Sequence, residues 1–233
     1  MEASTFDELK DNLRTQDYEL KQYLELIEHL EHLEKIAIRK KHKSEQINIQ
    51  LKISVSSCYL LFYNIIEHVC RESFLLVDAS ICEHTQDYSF LNLHLKGEYL
   101  KRIRQITLKP GIFDLLKNNI LINAIKELKI DKKDLFNGNI SNKIISAQLG
   151  KFGITNFKPD INTNGGADLD RIKQIRNELT HGEKSFVEMQ QELKSSAQIE
   201  DEWERVRTYL EDLIEVCDQA IHQRYFLADS CDE

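Results

Sequence analysis

The chain has 233 residues, of which 41% are hydrophobic and 30% charged, with a formal net charge of −8. That length and mix fit a soluble globular protein able to bury a core without staples. The net acidity argues against a chain that coats nucleic acid non-specifically, but it leaves room for a local basic groove.

Only two prolines and eight glycines punctuate the sequence, which favours long helices over many short strands and turns. The first helix is expected from near Thr5 to Arg39. Thr5 can cap it, and Glu8 stands three residues later, as in a capping box. Phe6, Leu9, Leu13, Leu20, Tyr23, Ile27 and Leu30 follow a three–four spacing, so one apolar stripe faces a partner. The run KIAIRKKHK places positive charge at its C-terminal end, where it suits the helix dipole.

A second helix is expected from about Glu45 to Ile81. Its middle, ISVSSCYLLFYNIIEHVCRESFLLV, is apolar on nearly all sides and reads as the central core helix. Leu61 and Ile65 are among its expected core residues. Asn64 and Glu67 share a face at i,i+3 and read as a satisfied structural pair or a helix–helix hydrogen bond. No apolar run reaches the length of a membrane span, and the longest, CYLLFYNII, reads as a buried segment.

Residues 88–141 are less regular. A short helix is expected around Glu98–Ile106, ending before the KPG turn at Lys109–Gly111, and another across Ile112–Leu128. Lys96 to Lys133 carries ten bases against four acids, a net +6, whose plain reading is solvated helix faces. Asn137, Gly138 and Asn139 make a turn, after which Ile140 or Ser141 opens a helix that stops at Gly150. The stretch FKPDINTNGGADL reads as a loop, a candidate mobile segment before the next helix. That helix runs from near Ala167 to His181, with Gly182 as the residue past its C-cap. A last helix spans about Ile199–Tyr225, with Trp203, Val206, Leu210, Leu213, Ile214, Cys217 and Ile221 at helical spacing. These elements predict one all-α domain over residues 1–233, a bundle of long helices with a smaller helical insertion at about 85–164.

The five cysteines are Cys58, Cys70, Cys82, Cys217 and Cys231, an odd number without a C-x-x-C pair. Cys58, Cys70 and Cys82 recur every twelve residues and would advance by about 120° per step on one helix, so they do not converge on a metal. They read as reduced thiols of a cytoplasmic protein. The N-terminus, MEASTFDEL, is acidic and polar, with no signal peptide. No metal cluster stands out among the scattered histidines, and no cofactor is expected. His29 and His32 read as part of a solvated face.

The stretch RNELTHGEKSF, from Arg176 to Phe186, carries the chemistry. Asn177 and His181 stand at i,i+4, so Asn177 is placed to fix the orientation and tautomer of the His181 ring. Arg176 lies about 140° around the helix from His181. Loosening at the helix end, or a second copy of the motif from a dimer partner, would bring them together. These residue types suit cleavage of an RNA phosphodiester. Attack by the ribose 2′-hydroxyl needs a base to take its proton and an acid for the leaving oxygen, and histidine serves either role near neutral pH. The pentacovalent phosphorane gains negative charge, which a guanidinium fork can meet. No metal is required. The plain alternative is a surface arginine and a histidine favourable at a helix C-terminus.

RNELTHG resembles the R-N-x-x-x-H-G signature of the HEPN superfamily, the higher-eukaryote and prokaryote nucleotide-binding domains. With LKISVSSCYLLFYNIIEHVCR, LFNGNISNKIISAQLGKFGI and the ending of long helix plus RYF, the chain resembles the MAE-like subgroup of prokaryotic HEPN proteins. The resemblance covers nearly the whole chain. It implies an up-and-down bundle and a metal-independent endoribonuclease that forms a composite site across a homodimer. It also implies a toxin or antiphage-defence effector with an antitoxin or defence-system partner. Arg176, Asn177 and His181 match the motif positions. Relatives often carry alanine where Thr180 stands, and Thr180, at i+4 from Arg176, is a candidate contact to the same phosphate. Lys184 and Ser185, just beyond the helix end, are further candidates for RNA contact. Some HEPN proteins lack ribonuclease activity, so a non-catalytic module binding RNA, nucleotide or a partner protein is the alternative. Modification of a tyrosine near His181 by an antitoxin would be a regulatory layer. No tyrosine stands beside the motif in sequence, since Tyr209 and Tyr225 fall on the last helix.

Overall fold

The computed structural model describes residues 5–40, 44–84, 88–107, 135–136, 138–190 and 194–227. Among them are six α-helices: α1 (Phe6–Arg39), α2 (Glu45–His84), α3 (Leu93–Thr107), α4 (Asn142–Lys151), α5 (Ala167–Thr180) and α6 (Ser196–His222). The described residues hold no β-strand; a single antiparallel bridge joins Leu91 to Leu227. The described residues form an all-α fold.

Local chemistry sets the helix ends. Thr5 Oγ1 accepts from the Glu8 N–H and Glu8 Oε2 accepts from the Thr5 N–H, the reciprocal box expected from the sequence. Ser195 and Gln198 form a second such box, which starts α6 three residues before the expected Ile199. Ser141 caps α4 through the Ile144 N–H. At the end of α5, Gly182 N–H donates to Leu179 O and Glu183 N–H to Glu178 O. Gly182 takes φ +70, the left-handed conformation that this C-terminal motif needs.

Helices α1, α2 and α6 pack against one another, and α5 lies on α2 and α6. The stripe of α1 buries Phe6, Leu9, Leu13, Leu20 and Ile27, with Tyr23 and Leu30 partly buried beside them. Helix α2 buries most of its surface, including Phe62, which stacks on Trp203 of α6 at 4.9 Å between centroids. One stripe of α2 faces outward, however. Ile53, Leu61 and Asn64 are exposed, so Leu61 is not the core residue expected, whereas Ile65 is. Glu67 pairs with Arg71 one turn on, not with Asn64.

Contrary to the sequence expectation, α2 does contain an 18-residue window of mean hydropathy 1.3, long and apolar enough to cross a membrane. Its side chains are instead spent on the bundle core, as for Val55, Tyr59, Phe62, Ile66, Val69 and Phe74. Phe136 and Phe152 join that same core: Phe74 stacks on Phe152 and lies beside Phe136. The helix expected at Ile112–Leu128 and the KPG turn lie outside the described residues. So does Asn137, although Gly138 takes the positive φ that the turn requires.

The loop expected at FKPDINTNGGADL is a 3-10 turn, Ile161–Gly166, packed on α6. Asp160 caps it through the Asn162 N–H, and its own N–H donates to Asp212 Oδ2 on α6 at 2.8 Å. Thr163 is buried. Gly166, at φ +81, has no room for a side chain, since a Cβ there would stand 2.8 Å from the Tyr209 ring. Tight contact, not mobility, explains its glycine.

Below the motif, α5 is tied down by a buried ionic cluster. Glu202 of α6 has no solvent exposure. It accepts from Arg171 Nε at 2.7 Å, from the Tyr59 hydroxyl at 3.0 Å and from Lys194 Nζ at 3.0 Å, with a second contact from Arg171 Nη2. Three donors around one carboxylate satisfy a charge that burial would otherwise penalise. Asp168 and Arg205 add a further bridge from the first turn of α5 to α6.

Candidate active site

The motif residues occupy the last turn of α5, where α2, the turn at Gly138–Ile140 and the chain after Gly182 converge. Arg176 is half-buried. Its guanidinium lies over the face of Tyr63 on α2, 4.8 Å from the ring centroid. Nη1 donates to Asn177 Oδ1 at 3.0 Å, and Asn177 Nδ2 donates to Asn139 Oδ1 at 3.1 Å. The Tyr63 hydroxyl donates to Gly138 O at 2.6 Å and accepts from the Ile140 N–H at 3.3 Å. One buried phenol thus carries both the arginine and the turn that abuts it. Burial holds that hydroxyl neutral, above the usual tyrosine range, against the opposing pull of the Ile140 N–H and Arg176.

Among the described residues, Arg176 has no carboxylate partner, and its Nε and Nη2 groups have no hydrogen-bond acceptor. As far as the described residues go, its charge and remaining donors are available to an anion.

His181 is the C-cap of α5 and is exposed. Its backbone N–H donates to Asn177 O at 2.9 Å, but its ring makes no hydrogen bond to a described residue. The expected Asn177–His181 side-chain contact is therefore replaced. Asn177 spends its amide on Arg176 and Asn139, because those groups lie on the inner side of the helix and the cap turns His181 outward. Arg176 and His181 bracket one helix end without meeting within one chain, as their angular separation requires.

The remaining candidates have local partners. Thr180 Oγ1 donates back to Arg176 O at 2.8 Å and is exposed. Lys184 Nζ bridges to Glu178 Oε2 at 2.7 Å, and Gln174 donates to the other oxygen. Lys184 and Gln174 hold the Glu178 carboxyl below its usual range. Ser185 Oγ accepts from the Glu188 N–H and its own N–H donates to Glu188 Oε2, so it caps the 3-10 turn Glu188–Gln190. Lys184 is thus engaged at the helix end and Ser185 in capping the turn that follows, and neither is drawn to Arg176.

Sequence reading missed Tyr63 and Asn139. The signal for Tyr63 was a phenol in an otherwise apolar helix, whose hydroxyl must find a partner when buried. Asn139 sat in the expected turn, but nothing local tied that turn to the motif. The absence of a tyrosine beside the motif also holds only along the chain. In space Tyr63 lies against it, though at 1% exposure it is sealed from modification. Among the described residues, no group of three or more His, Cys, Asp or Glu is placed to hold a metal.

The fold and this helix end define an all-α bundle that presents, among the described residues, an arginine without a carboxylate partner and an exposed histidine. Compared with known families, residues 18–223 match the model of the RiboL-PSP-HEPN family. The chain belongs to that family, and so to the HEPN superfamily; the match does not name the MAE-like subgroup. No curated protein and no solved structure matches the chain. HEPN domains are often ribonucleases, so membership points to RNA-related work.

Proposed function

We propose that the chain is a metal-independent endoribonuclease that completes its site as a homodimer. The observation that carries this reading is Arg176, half-buried on Tyr63 and without a carboxylate partner among the described residues, five positions before an exposed histidine. Arg176 would hold the scissile phosphate and meet the charge of the phosphorane. His181 would move the proton of the 2′-hydroxyl or of the leaving oxygen. Asn177, with Asn139, orients Arg176 and not the histidine. The Thr180 hydroxyl is at the rim and can still accept a hydrogen bond from a ribose. Since Arg176 and His181 do not meet in one chain, the partner's copy of the motif supplies the second half of the site. A cytoplasmic toxin or antiphage-defence effector, of the MAE-like kind and held by an antitoxin or defence partner, is the setting this chemistry fits.

The alternative is a non-catalytic module that binds RNA, nucleotide or a partner protein. It is favoured by the exposed apolar side chains of α1, Tyr18, Leu26 and Ile38. A cleavage assay separates the two. Protein and its His181→Ala variant are mixed with total RNA and tRNA in EDTA. Histidine-dependent fragments with 2′,3′-cyclic phosphate ends support the enzyme. Equal fragments from both proteins, or none from a folded dimer, favour the module.

A further inference from the structure

We propose that Tyr63 is a positioning residue for Arg176, a device that aims the guanidinium at phosphate without consuming its charge. The proposal rests on the ribonuclease reading for its chemistry, but its geometry stands on the structure. An arginine can be aimed by a carboxylate, which fixes it through two hydrogen bonds and cancels its charge. A phosphate must then compete with that partner. An aromatic face aims the same planar group and leaves its N–H edge and net charge free.

Tyr63 fits this role in three ways. Its ring is 1% exposed and lies 4.8 Å from the guanidinium carbon, so the contact is largely desolvated on the ring side. Its hydroxyl is held by Gly138 O and the Ile140 N–H, which fixes where the ring stands. The turn so held presents Asn139 to Asn177, which in turn takes Arg176 Nη1. The guanidinium is thereby located by a floor and one edge, while Nε and Nη2 keep no partner among the described residues. Residues 138–140 are coupled to the motif through this phenol and through the Asn177–Asn139 hydrogen bond.

Two measurements test the proposal. The first is the side-chain Nε–Hε spectrum of arginine in the intact protein, with the Arg176 resonance assigned by its loss in Arg176→Lys, titrated with inorganic phosphate. The ring current should displace that resonance, and phosphate should move it. Tyr63→Phe should keep the displacement, because the ring remains. Tyr63→Leu should return it to the free-arginine position and weaken the phosphate response several-fold. A wild-type resonance already at the free-arginine position overturns the proposal even if Tyr63→Leu does not fold. So does an unchanged phosphate response in a folded Tyr63→Leu.

The second measurement is a double-mutant cycle on RNA cleavage. Tyr63→Leu should lower kcat by about 5- to 30-fold, the rate equivalent of a desolvated cation–π contact. In an Arg176→Ala background, read on the residual cleavage, the same change should cost less than about twofold, because its target is gone. Equal losses in both backgrounds mean a merely structural tyrosine and overturn the proposal. If the spectra behave as expected while no RNA is cut, the ribonuclease reading fails and the positioning role stands.

Discussion

Replacing Glu202 by glutamine should loosen the helix that carries the motif. Glutamine keeps the shape but offers one acceptor oxygen where the carboxylate served Arg171, Tyr59 and Lys194. Its amide nitrogen would face donors. Removing one partner of a buried ion pair costs about 3–5 kcal/mol. Arg171 and Lys194 keep 38% and 30% of their side-chain surface in water, so they can rehydrate in part. The Tyr59 hydroxyl cannot, since the residue is 2% exposed. The expected loss is therefore at the low end, about 3 kcal/mol, or roughly 6–12 °C in Tm for a domain of this size. Urea unfolding followed by Trp203 fluorescence should show an earlier midpoint at unchanged slope. A loss below about 1 kcal/mol would refute the view that Glu202 fastens α5 to α2 and α6. Replacing Arg171 by methionine, Glu202 by leucine and Tyr59 by phenylalanine together should recover much of the loss, because it removes the buried pair and the hydroxyl bonded to it, while Lys194 can return to water.

Phe62→Ala, at a fully buried ring stacked on Trp203, should cost about 3–5 kcal/mol, whereas Leu61→Ala at the exposed neighbour should stay within roughly 1 kcal/mol, both read from melting midpoints. Gly166→Ala should lower Tm, because the residue combines φ +81 with a Cβ position 2.8 Å from the Tyr209 ring; an unchanged Tm would mean that α4 and α6 can part there. His181→Ala should leave stability within roughly 0.5 kcal/mol and abolish cleavage, while Arg176→Ala should cost about 1 kcal/mol as well, through its lost contact with Tyr63. Burial pushes the Cys58 thiol up to about 12 and raises Cys70 and Cys217 too. Their stabilising contribution is complete below the unfolded thiol value of about 8.5 and is lost as pH rises from there toward 12. The urea midpoint should accordingly fall between pH 7 and pH 10, and these three thiols should resist labelling by a disulfide reagent until the chain unfolds.

Much of the fold could be read from local pattern. The apolar stripe of α1 and its Thr5–Glu8 cap, the apolar body of α2 and the Gly182 stop after α5 follow from helical period and from orphan backbone groups at helix ends. These are settled within a few residues of chain. The same locality explains the errors. Leu61 and Ile65 look alike along α2, and only the placement of α1, α5 and α6 around it decides which of them is covered. The segment before α5 looked like a loop because asparagine and glycine favour turns, yet Tyr209 and Asp212 of α6 turn it into packed structure.

The motif divides in the same way. Its residue types and its place at a helix end were visible in RNELTHG, and the family match bears out the superfamily they suggested. Asn177 was expected to serve His181, since i,i+4 neighbours share a face. It serves Arg176 and Asn139 instead, because tertiary packing brings the turn at Gly138–Ile140 beside it. The sequence by itself determined which groups stand at the end of α5, since helix period and capping act over a single turn. Only the tertiary structure decided what surrounds them: an aromatic floor under Arg176, open solvent around His181 and an ion pair on Lys184. Those neighbours come from residues far apart in the chain, and their meeting is fixed by how whole helices bury their faces against one another.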